Sequence, residues 1–438
     1  MPDATPPAPA LVFPRDHPRR AELNEEVHAR APELLLAPTR LSYLALMKDG
    51  APREPGWHAL CALAERYGVP PPPLAAYHFR ADLGPFRLQW ERHTEFVRYL
   101  FTVPGAGEDP FAEPAIAAVP PDWLAALPGQ VITATHVAFL PGGEAPPDVE
   151  ALSARLFAGN MLVGSATLGG AATALTDFRI HADGFGRMLV LDRSSTARQA
   201  GRIVQRLLEI DTYQMLALLA FPVARNLAPF LGERERELAT IAADLVAAGE
   251  PDEPVLLDRL TRLAAEIESR ESDNLYRFSA AAAYYDLVQR RTAELRERRI
   301  EGLQTFQEFT ERRLAPAMST CAAAAARQES LSARVARAIQ LLATRVDVTL
   351  ERQNQAVLES MNRRAKIQLR LQTTVEGLSV AALTYYVVAL VGDAAKAAKA
   401  GGLAIDPELT MGISVPVIAV LAALGVRSIR RMVTRTVT

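Results

Sequence analysis

Two apolar segments near the C-terminal end give the strongest hydrophobic pattern in this chain. Residues 371–391 are apolar at most of about 21 positions, and residues 409–426 form a second apolar segment of about 18 positions without a charged side chain. A helix of roughly 20 apolar residues crosses the hydrocarbon core of a bilayer. The pattern therefore predicts transmembrane helix 1 over residues 371–391, an outer connector over residues 392–408 and transmembrane helix 2 over residues 409–426.

The charged segment before the first apolar helix carries apolar side chains at spacings of three and four, which is typical of a coiled-coil or bundle seam. We therefore predict a stalk helix over residues 317–370, with a length on the order of 80 Å at about 1.5 Å per residue. No small domain covers a helix of that length, so we expect a homo-oligomer. The predicted seam consists of Leu331, Val335, Ile339, Leu342, Val346, Thr349, Gln353, Val357 and Met361.

The N-terminal half of the chain mixes strand and helix patterns. The clearest is a hairpin, because two strand-like segments, residues 162–168 and 172–181, flank Gly169 and Gly170, which can take the positive φ angles of a tight turn. A third segment completes a meander. The pattern predicts an α/β domain over residues 15–193 with a mainly antiparallel sheet. Its other strands are expected at residues 41–47, 76–81, 86–92, 96–103, 131–140 and 186–192, and a helix at residues 57–67.

After residue 194 the strand patterns end and the chain is predicted to be helical. Ser195 or Thr196 can cap the first helix, and Pro222 and Pro229 are expected to break or kink the segment after it. These segments predict a helical layer over residues 194–316. Its helices are expected at residues 197–219, 233–248, 255–268 and 275–314.

Basic side chains flank the two apolar segments, whereas the connector mixes both signs of charge. By the positive-inside rule, both flanks and both chain termini are expected in the cytoplasm, which makes this a multi-pass protein of the cytoplasmic (inner) membrane. A pair of buried core helices is the alternative. The flanking residues are Arg363, Arg364, Lys366 and Arg370 before the first span, and Arg427, Arg430, Arg431 and Arg435 in a basic tail over residues 427–438.

The predicted fold class is an α+β cytoplasmic domain followed by a helical layer, a long stalk helix and a C-terminal two-helix transmembrane hairpin. A Pro- and Ala-rich leader over residues 1–14 is expected to be disordered. The net charge of −2 argues against a nucleic-acid partner, so the lipid bilayer and further copies of the chain are the expected partners. Cys61 and Cys321 are the two cysteines of the chain, and they form no disulfide framework.

The chain offers little catalytic chemistry. It has no phosphate-binding loop with a Lys-Ser/Thr pair and no Gly-x-Ser-x-Gly elbow, so we assign no catalytic residue and expect no enzyme. Asp177, His181 and Asp183 alternate onto one face of a predicted strand and can in principle hold a divalent cation. Arg179 between them would repel the ion, and an ordinary polar sheet face is the alternative. No other cofactor is expected.

Polar residues in the first span suggest a second candidate site. Thr373, Glu376 and Thr384 lie near one helical face of that span, and polar groups inside a membrane normally face a partner or water. Glu376 would form an acidic ring at the cytoplasmic mouth of an oligomeric pore, a feature of cation channels. A plain anchor is the alternative, because Ser and Thr also bond to their own helix.

Six sequence blocks carry a resemblance over nearly the whole chain. They lie at residues 16–18, 26–30, 90–96, 176–181, 311–318 and 374–380. In these blocks the chain resembles an uncharacterised bacterial family of membrane-anchored proteins labelled only as a domain of unknown function. The resemblance implies membrane anchoring and assigns no activity.

The order of the predicted segments is also similar to that of CorA-type divalent-cation transporters. That resemblance implies a homopentamer whose long helices line a pore, and a cation channel or transporter gated by its cytoplasmic domain. The Gly-Met-Asn motif that closes the first span of those transporters is absent, and the chain reads Val391, Gly392 and Asp393 there. A non-transporting membrane-anchored scaffold or signalling protein is therefore the alternative function.

Overall fold

The computed structural model describes residues 14–435 with gaps, and the chain forms two compact units. Unit 1 comprises Met1–Asp244 and Arg259–Arg337, and unit 2 comprises Leu245–Asp258 and Ala338–Thr438. The predicted leader lies outside the described residues apart from Pro14, and so do the last three residues of the predicted tail. The remaining residues that are not described are 22, 25–31, 49, 51–52, 108, 146, 248, 250–251, 403 and 405.

A mixed sheet forms the centre of unit 1. Its strands are β1 (Thr39–Met47), β2 (His78–Asp82), β3 (Arg87–Arg92), β4 (Phe96–Pro104), β5 (Gln130–Pro141), β6 (Val163–Thr167), β7 (Ala172–Thr176), β8 (Gly186–Asp192) and β9 (Arg298–Arg299). They lie in the order β2-β3-β4-β1-β5-β8-β7-β6-β9. Among these described strands, β5 and β8 form the parallel pair, and the other neighbours are antiparallel. The predicted α+β class is confirmed.

The predicted hairpin and meander are present, although the second strand is shorter than expected. β6 and β7 pair on either side of Gly169 and Gly170, whose φ angles are 73° and 107°, and β8 pairs with β7. β7 ends at Thr176, so the predicted strand over residues 172–181 is wrong in its second half. There the N–H of Phe178 donates to the Thr176 hydroxyl, and the φ of 50° at Phe178 takes the chain out of the sheet.

Long helices follow the sheet, as predicted. The helices are α1 (Glu54–Arg66), α2 (Pro121–Ala125), α3 (Val149–Leu156), α4 (Ala197–Leu218), α5 (Ala220–Ala247), α6 (Glu253–Glu294), α7 (Phe306–Arg313), α8 (Ala315–Ala400) and α9 (Pro407–Arg435). α4 begins where the sequence indicates, because Thr196 caps it in a reciprocal pair of hydrogen bonds with Gln199.

Two helix boundaries predicted in the helical layer are wrong. The helix expected over residues 233–248 begins instead at Ala220, so Pro229 does not end it, and Pro222 falls in its first turn, where backbone N–H groups have no intrahelical partner to lose. A kink at Pro229 stays a prediction. The helix predicted over residues 275–314 ends instead at Glu294, and Arg296 has a φ of 49°. The chain between α6 and α7 forms β9, which pairs with β6 at the edge of the sheet.

The main core of unit 1 lies between one face of the sheet and α4. The predicted apolar stripe of α4 supplies Ile203, Leu207 and Ile210, each at most 1% exposed. These side chains belong to one cluster with Leu41 of β1 and Val137 of β5. Full burial of each aliphatic side chain contributes about 1.5–3 kcal/mol, so this stripe holds α4 against the sheet.

In unit 2, α9 packs along the C-terminal part of α8. Gly392 of α8 lies so close to α9 that a Cβ at this position would be 2.5 Å from the sulfur of Met411. Ala395 of α8 and Ala422 of α9, both in unit 2, are also buried. Small side chains therefore allow the two helices to approach closely, as is common between membrane helices.

Three helical stretches are long and apolar enough to cross a membrane, judged by length and composition among the described residues. They are Ala197–Ala247, Phe306–Ala400 and Pro407–Ser428. The most apolar window of the first is 33% buried within the chain, against 6% and 0% for the other two. The sequence predicts the last two as spans. The first contains α4, whose apolar stripe is buried in the core of unit 1.

The predicted stalk seam is covered in its first half and exposed in its second. Leu331 and Val335 are buried in unit 1, and Leu342 is buried in unit 2. Every residue from 350 to 375 is exposed, including Val357 and Met361. The first part of the seam therefore packs within one chain, and the expected homo-oligomer stays a prediction.

Candidate functional site

The three predicted pore residues lie on α8, and two of them use their polar atoms within their own helix. The Thr373 hydroxyl donates to the backbone oxygen of Leu369 at 2.8 Å, and the Thr384 hydroxyl donates to that of Val380 at 2.7 Å. Such bonds satisfy a hydroxyl in an apolar medium without water or a partner helix. They favour the anchor alternative for these threonines.

The structure places Glu376 and Thr384 on one face of α8. Both are partly buried, as are Val380, Val387 and Val391, at spacings of three and four that continue towards the Gly392 contact with α9. This face is therefore turned towards α9 within one copy. A pore lined by the opposite face of α8 would not include Glu376 or Thr384, whereas a path between α8 and α9 would.

The basic residues that flank the two predicted spans lie on α8 and α9. Arg363, Arg364, Lys366 and Arg370 are exposed on α8, and Arg427 is exposed on α9. Arg430, Arg431 and Arg435 follow in the last turns of α9. Their role in membrane anchoring stays a prediction.

The predicted cation site does not assemble. Asp177 accepts from His181 at 2.9 Å and from Asn160 at 2.9 Å, so these two side chains hold it after the end of β7. Asp183 lies instead 3.9 Å from Nε2 of His136. Among the described residues, no group of three or more His, Cys, Asp and Glu side chains is arranged to hold a metal ion. The strand geometry on which this prediction rested is wrong.

Ser42, His136 and Asp183 form a constellation that the sequence does not reveal. Oγ of Ser42 lies 2.9 Å from Nδ1 of His136, and Nε2 of His136 lies 3.9 Å from Asp183. A hydrolase triad uses such residues, but here Ser42 is fully buried and its oxygen also accepts from the N–H of Ile116 at 3.0 Å. No substrate carbonyl can reach that oxygen, so the group ties β1 to β5.

We predict that His136 makes unit 1 sensitive to acid. Burial lowers the pKa of His136 from 6.5 to about 4, with Asp183 opposing the shift and Arg187 adding to it. Because the folded pKa is depressed, the stabilisation is complete above about pH 6.5 and is lost as the pH falls through about 4. Between about pH 6.5 and pH 4, the free energy of unfolding should fall by about 2–3 kcal/mol less in His136→Gln than in the wild type. Denaturant titrations of the detergent-solubilised protein measure this difference. Equal losses would contradict the assignment.

A buried network of charged residues links the sheet to two helices. Arg98 of β4 donates to Glu91 of β3 at 2.6 Å and lies 3.5 Å from Glu209 of α4. Arg291 of α6 is paired with the second oxygen of Glu209. Glu91, Arg98 and Glu209 are 2%, 7% and 6% exposed, so these charges are largely removed from water. Sequence reasoning missed the network because Arg98 and Glu209 are 111 residues apart.

Every charge in this network has a partner, which is the condition for burying it. Burial alone raises the pKa of Glu91, but the charge of Arg98 and hydrogen bonds from Arg98 and Gln89 hold it below its usual range. Burial lowers the pKa of Arg98, and Glu91 overcomes this effect and raises it. Glu91 and Arg98 therefore remain an ionised pair. The network fixes the position of α4 and α6 on the sheet.

An apolar groove lies between α6 and α8 within unit 1. It has a volume of about 830 Å³ and is lined by small side chains such as Ala282, Ala322 and Ala326. Gln328, which is 2% exposed, lines the groove, and its Nε2 atom has no hydrogen-bond partner among the described residues. Glu271 lines the groove too, and its Oε2 atom likewise has none among those residues.

The protein is an α+β protein with long C-terminal apolar helices. A buried charge network stabilises its α+β unit, and the last two helices contact each other. The chain belongs to the family described as Protein of unknown function (DUF3422), whose model matches residues 15–433. The uncharacterised family indicated by the sequence is thereby confirmed. No curated protein and no solved structure matches the chain.

Proposed function

We propose that this protein is a homo-oligomeric inner-membrane protein that acts as a membrane-anchored scaffold or signalling protein. α8 and α9 anchor it in the bilayer, and the α+β unit lies on the cytoplasmic side with both chain termini. The observation that carries this proposal is the complete exposure of residues 350–375 in one chain. A helix segment that exposes large apolar side chains throughout needs either lipid or a second copy around it.

The apolar side chains of α8 fall into two regions with different surroundings. Val357 and Met361, which are 58% and 61% exposed, lie among charged residues outside the apolar span, where a second copy of α8 can cover them. Leu378 and Leu390, which are 75% and 69% exposed, lie inside the span, where lipid can cover them. Self-association and membrane anchoring thus account for successive parts of one helix.

The proposed topology rests on charge. Exposed arginines and a lysine precede the first span, and further arginines follow the second span. The connector carries Asp393, Asp406 and Glu408 besides Lys396 and Lys399. Basic segments are retained in the cytoplasm during insertion, so this asymmetry supports cytoplasmic termini and an outer connector.

The groove between α6 and α8 supports recruitment of a partner protein. Its alanine lining leaves room for the backbone of another helix, as small residues do at close helix contacts, and Asp286 and Glu329 add acidic groups to its lining. A helix with an apolar face and basic flanks would match both features.

Passage of a cation through a CorA-like homopentamer, gated by the cytoplasmic unit, is the second candidate. Glu376 favours it, because an ionisable residue within an apolar span is a common mark of an ion pathway. Thr373 and Thr384 would then line the same path, with a divalent cation as the cargo.

Replacement of Glu376 by alanine separates the two candidates. Divalent-cation flux into liposomes containing the purified protein is the measurement, with Glu359→Ala as a matched control because Glu359 is exposed on α8 outside the span. The scaffold predicts no protein-dependent flux in wild type or either variant. Flux that changes in rate or ion preference with Glu376→Ala alone would contradict the scaffold and support the cation path.

A further inference from the structure

Three basic side chains converge on one cleft at the edge of unit 1. Lys48 follows β1, Arg53 precedes the first turn of α1, and Arg92 ends β3. All three line the cleft, together with the aromatic rings of Trp57 and Trp90. None of the residues discussed above as candidate sites lines it.

These three charges have no acidic partner among the described residues. The Lys48 ammonium donates to the backbone oxygen of His93. The Arg53 guanidinium lies 4.7 Å from the centre of the Tyr77 ring. Glu95, whose charge acts on Lys48, is already paired with Arg277. The nearby Glu54 is exposed to solvent, which screens its effect on Arg92.

Burial, together with repulsion between these like charges, lowers the pKa values of Lys48 and Arg92. Burial lowers the pKa of Lys48, and repulsion from Arg92 and Arg53 lowers it further. Burial also lowers the pKa of Arg92, and Arg53 adds to that effect. Half-buried like charges that repel one another destabilise the folded chain unless an anion lies between them.

The first turn of α1 adds little to the positive potential of the cleft. α1 begins at Glu54, whose carboxylate opposes the helix dipole, and the next residue, Pro55, has no backbone N–H. Gly56 and Trp57 line the cleft, but the N–H of Trp57 donates to the backbone oxygen of Arg53. The positive potential therefore comes from the three basic side chains.

The size of the cleft limits the ligand. It offers about 40 Å³ to the centres of water-sized groups, and a single water needs roughly 10–15 Å³ by the same measure. A tetrahedral oxyanion therefore fits, whereas an entire nucleotide does not. Leu74 and Pro128 form apolar walls beside the basic residues, where a small organic group attached to the anion could lie.

We propose that this cleft binds a phosphate group, either as inorganic phosphate or as the phosphate of a small phosphomonoester. Lys48, Arg53 and Arg92 would donate charge-assisted hydrogen bonds to its oxygens, and arginine offers two parallel donors for that geometry. The cleft thus gives the cytoplasmic unit a site for a soluble anionic ligand.

Calorimetric titration of the full chain tests the proposal. The protein is held in maltoside micelles, because lipid headgroups would supply competing phosphate. Inorganic phosphate and phenyl phosphate are titrated separately into wild type, Arg92→Gln and Arg80→Gln. Arg80 is an exposed arginine of β2 outside the cleft. Arg80→Gln therefore removes the same charge as Arg92→Gln without changing the cleft. We expect saturable binding to wild type and Arg80→Gln, and a roughly tenfold higher Kd for Arg92→Gln.

The two ligands distinguish the source of the phosphate group. Similar Kd values would indicate the free ion, and tighter binding of phenyl phosphate would indicate a phosphomonoester whose organic part contacts the apolar walls. Absence of binding of both ligands to wild type would overturn the proposal. Equal Kd values for wild type and Arg92→Gln would overturn it too.

Thermal unfolding is a second measurement, and it also shows whether each variant is folded. Phosphate should raise the Tm of wild type and Arg80→Gln, because a ligand that binds the folded state stabilises it. In phosphate-free buffer, Arg92→Gln should unfold at a temperature no lower than wild type, since the change removes repulsion. A Tm increase of equal size in all three proteins would contradict binding in this cleft.

Discussion

Arg98→Ala is expected to lower the free energy of unfolding of unit 1 by about 3–5 kcal/mol, one of the two largest losses that the structure predicts. The change leaves Glu91, which is 2% exposed, without the guanidinium that lies 2.6 Å away. Glu209 keeps Arg291 as a partner but loses its contact with the sheet. Denaturant titration of the detergent-solubilised protein, followed by tryptophan fluorescence, measures the loss.

An exposed arginine pair is the matched control for that experiment. Arg66 contacts both oxygens of Asp122 at 3.0 and 2.9 Å, but the two side chains are 50% and 71% exposed. Exposed pairs contribute about 0–1 kcal/mol, so Arg66→Ala should have a small effect. Similar losses for Arg98→Ala and Arg66→Ala would mean that the buried network does not hold α4 and α6 on the sheet.

Gly201→Ala is expected to destabilise the chain by about 3 kcal/mol or more, although alanine is the better helix former. Gly201 lies inside α4, and an added Cβ would be 1.7 Å from the backbone oxygen of Glu33. That contact involves backbone, so rotation of a side chain cannot relieve it. The segment at Glu33 would have to move away, and the hydrogen bond from the N–H of Leu35 to the oxygen of Ala197 would be strained.

A second helical glycine provides the control for the added methyl group. Gly232 lies inside α5, and a Cβ there would meet the Arg327 side chain at an ordinary 3.7 Å. Gly232→Ala should therefore stabilise the protein by up to about 1 kcal/mol through helix propensity. The two variants are expected to shift the Tm in opposite directions. A stabilising Gly201→Ala would show that residue 33 does not pack on α4 as described.

Sequence patterns correctly predicted the elements that depend on interactions between residues close together in the chain. Ser195 or Thr196 was predicted to cap α4, and Thr196 does so. Gly169 and Gly170 marked a hairpin turn, and helical spacing placed Ile203 in the core. Each of these signals involves residues that are neighbours along the chain. The two apolar C-terminal segments were recognised for the same reason, since a span is defined by its own composition.

The features that failed or were missed depend on contacts between distant residues. The long helix predicted to continue to residue 314 is interrupted because a two-residue strand, β9, pairs with β6 from much earlier in the chain. Pairing of Arg98 with Glu209 and of Ser42 with His136 joins residues 111 and 94 positions apart. The spacing of apolar and polar residues along the chain does not indicate contacts between residues so far apart. The cleft of Lys48, Arg53 and Arg92 was missed likewise, because charge counts do not show which cations converge.

The expected pore residues illustrate the same limit within a single helix. The sequence put Thr373, Glu376 and Thr384 near one face of α8, and the structure places Glu376 and Thr384 on a partly buried face while Thr373 is exposed. Helical spacing could not show which face is turned towards α9, since that depends on Gly392 and Met411, which meet between the two helices. The assignment of these residues to a pore stays a prediction.

The subunit count tests the central claim most directly. Native mass spectrometry of the protein in nanodiscs gives the number of chains, and Val357→Glu, which places a charge on the exposed stalk seam, reports whether α8 carries the contact. The account predicts several copies for the wild type and fewer for the variant; a closed ring of five would also justify cation-flux measurements. A wild-type monomer would contradict it.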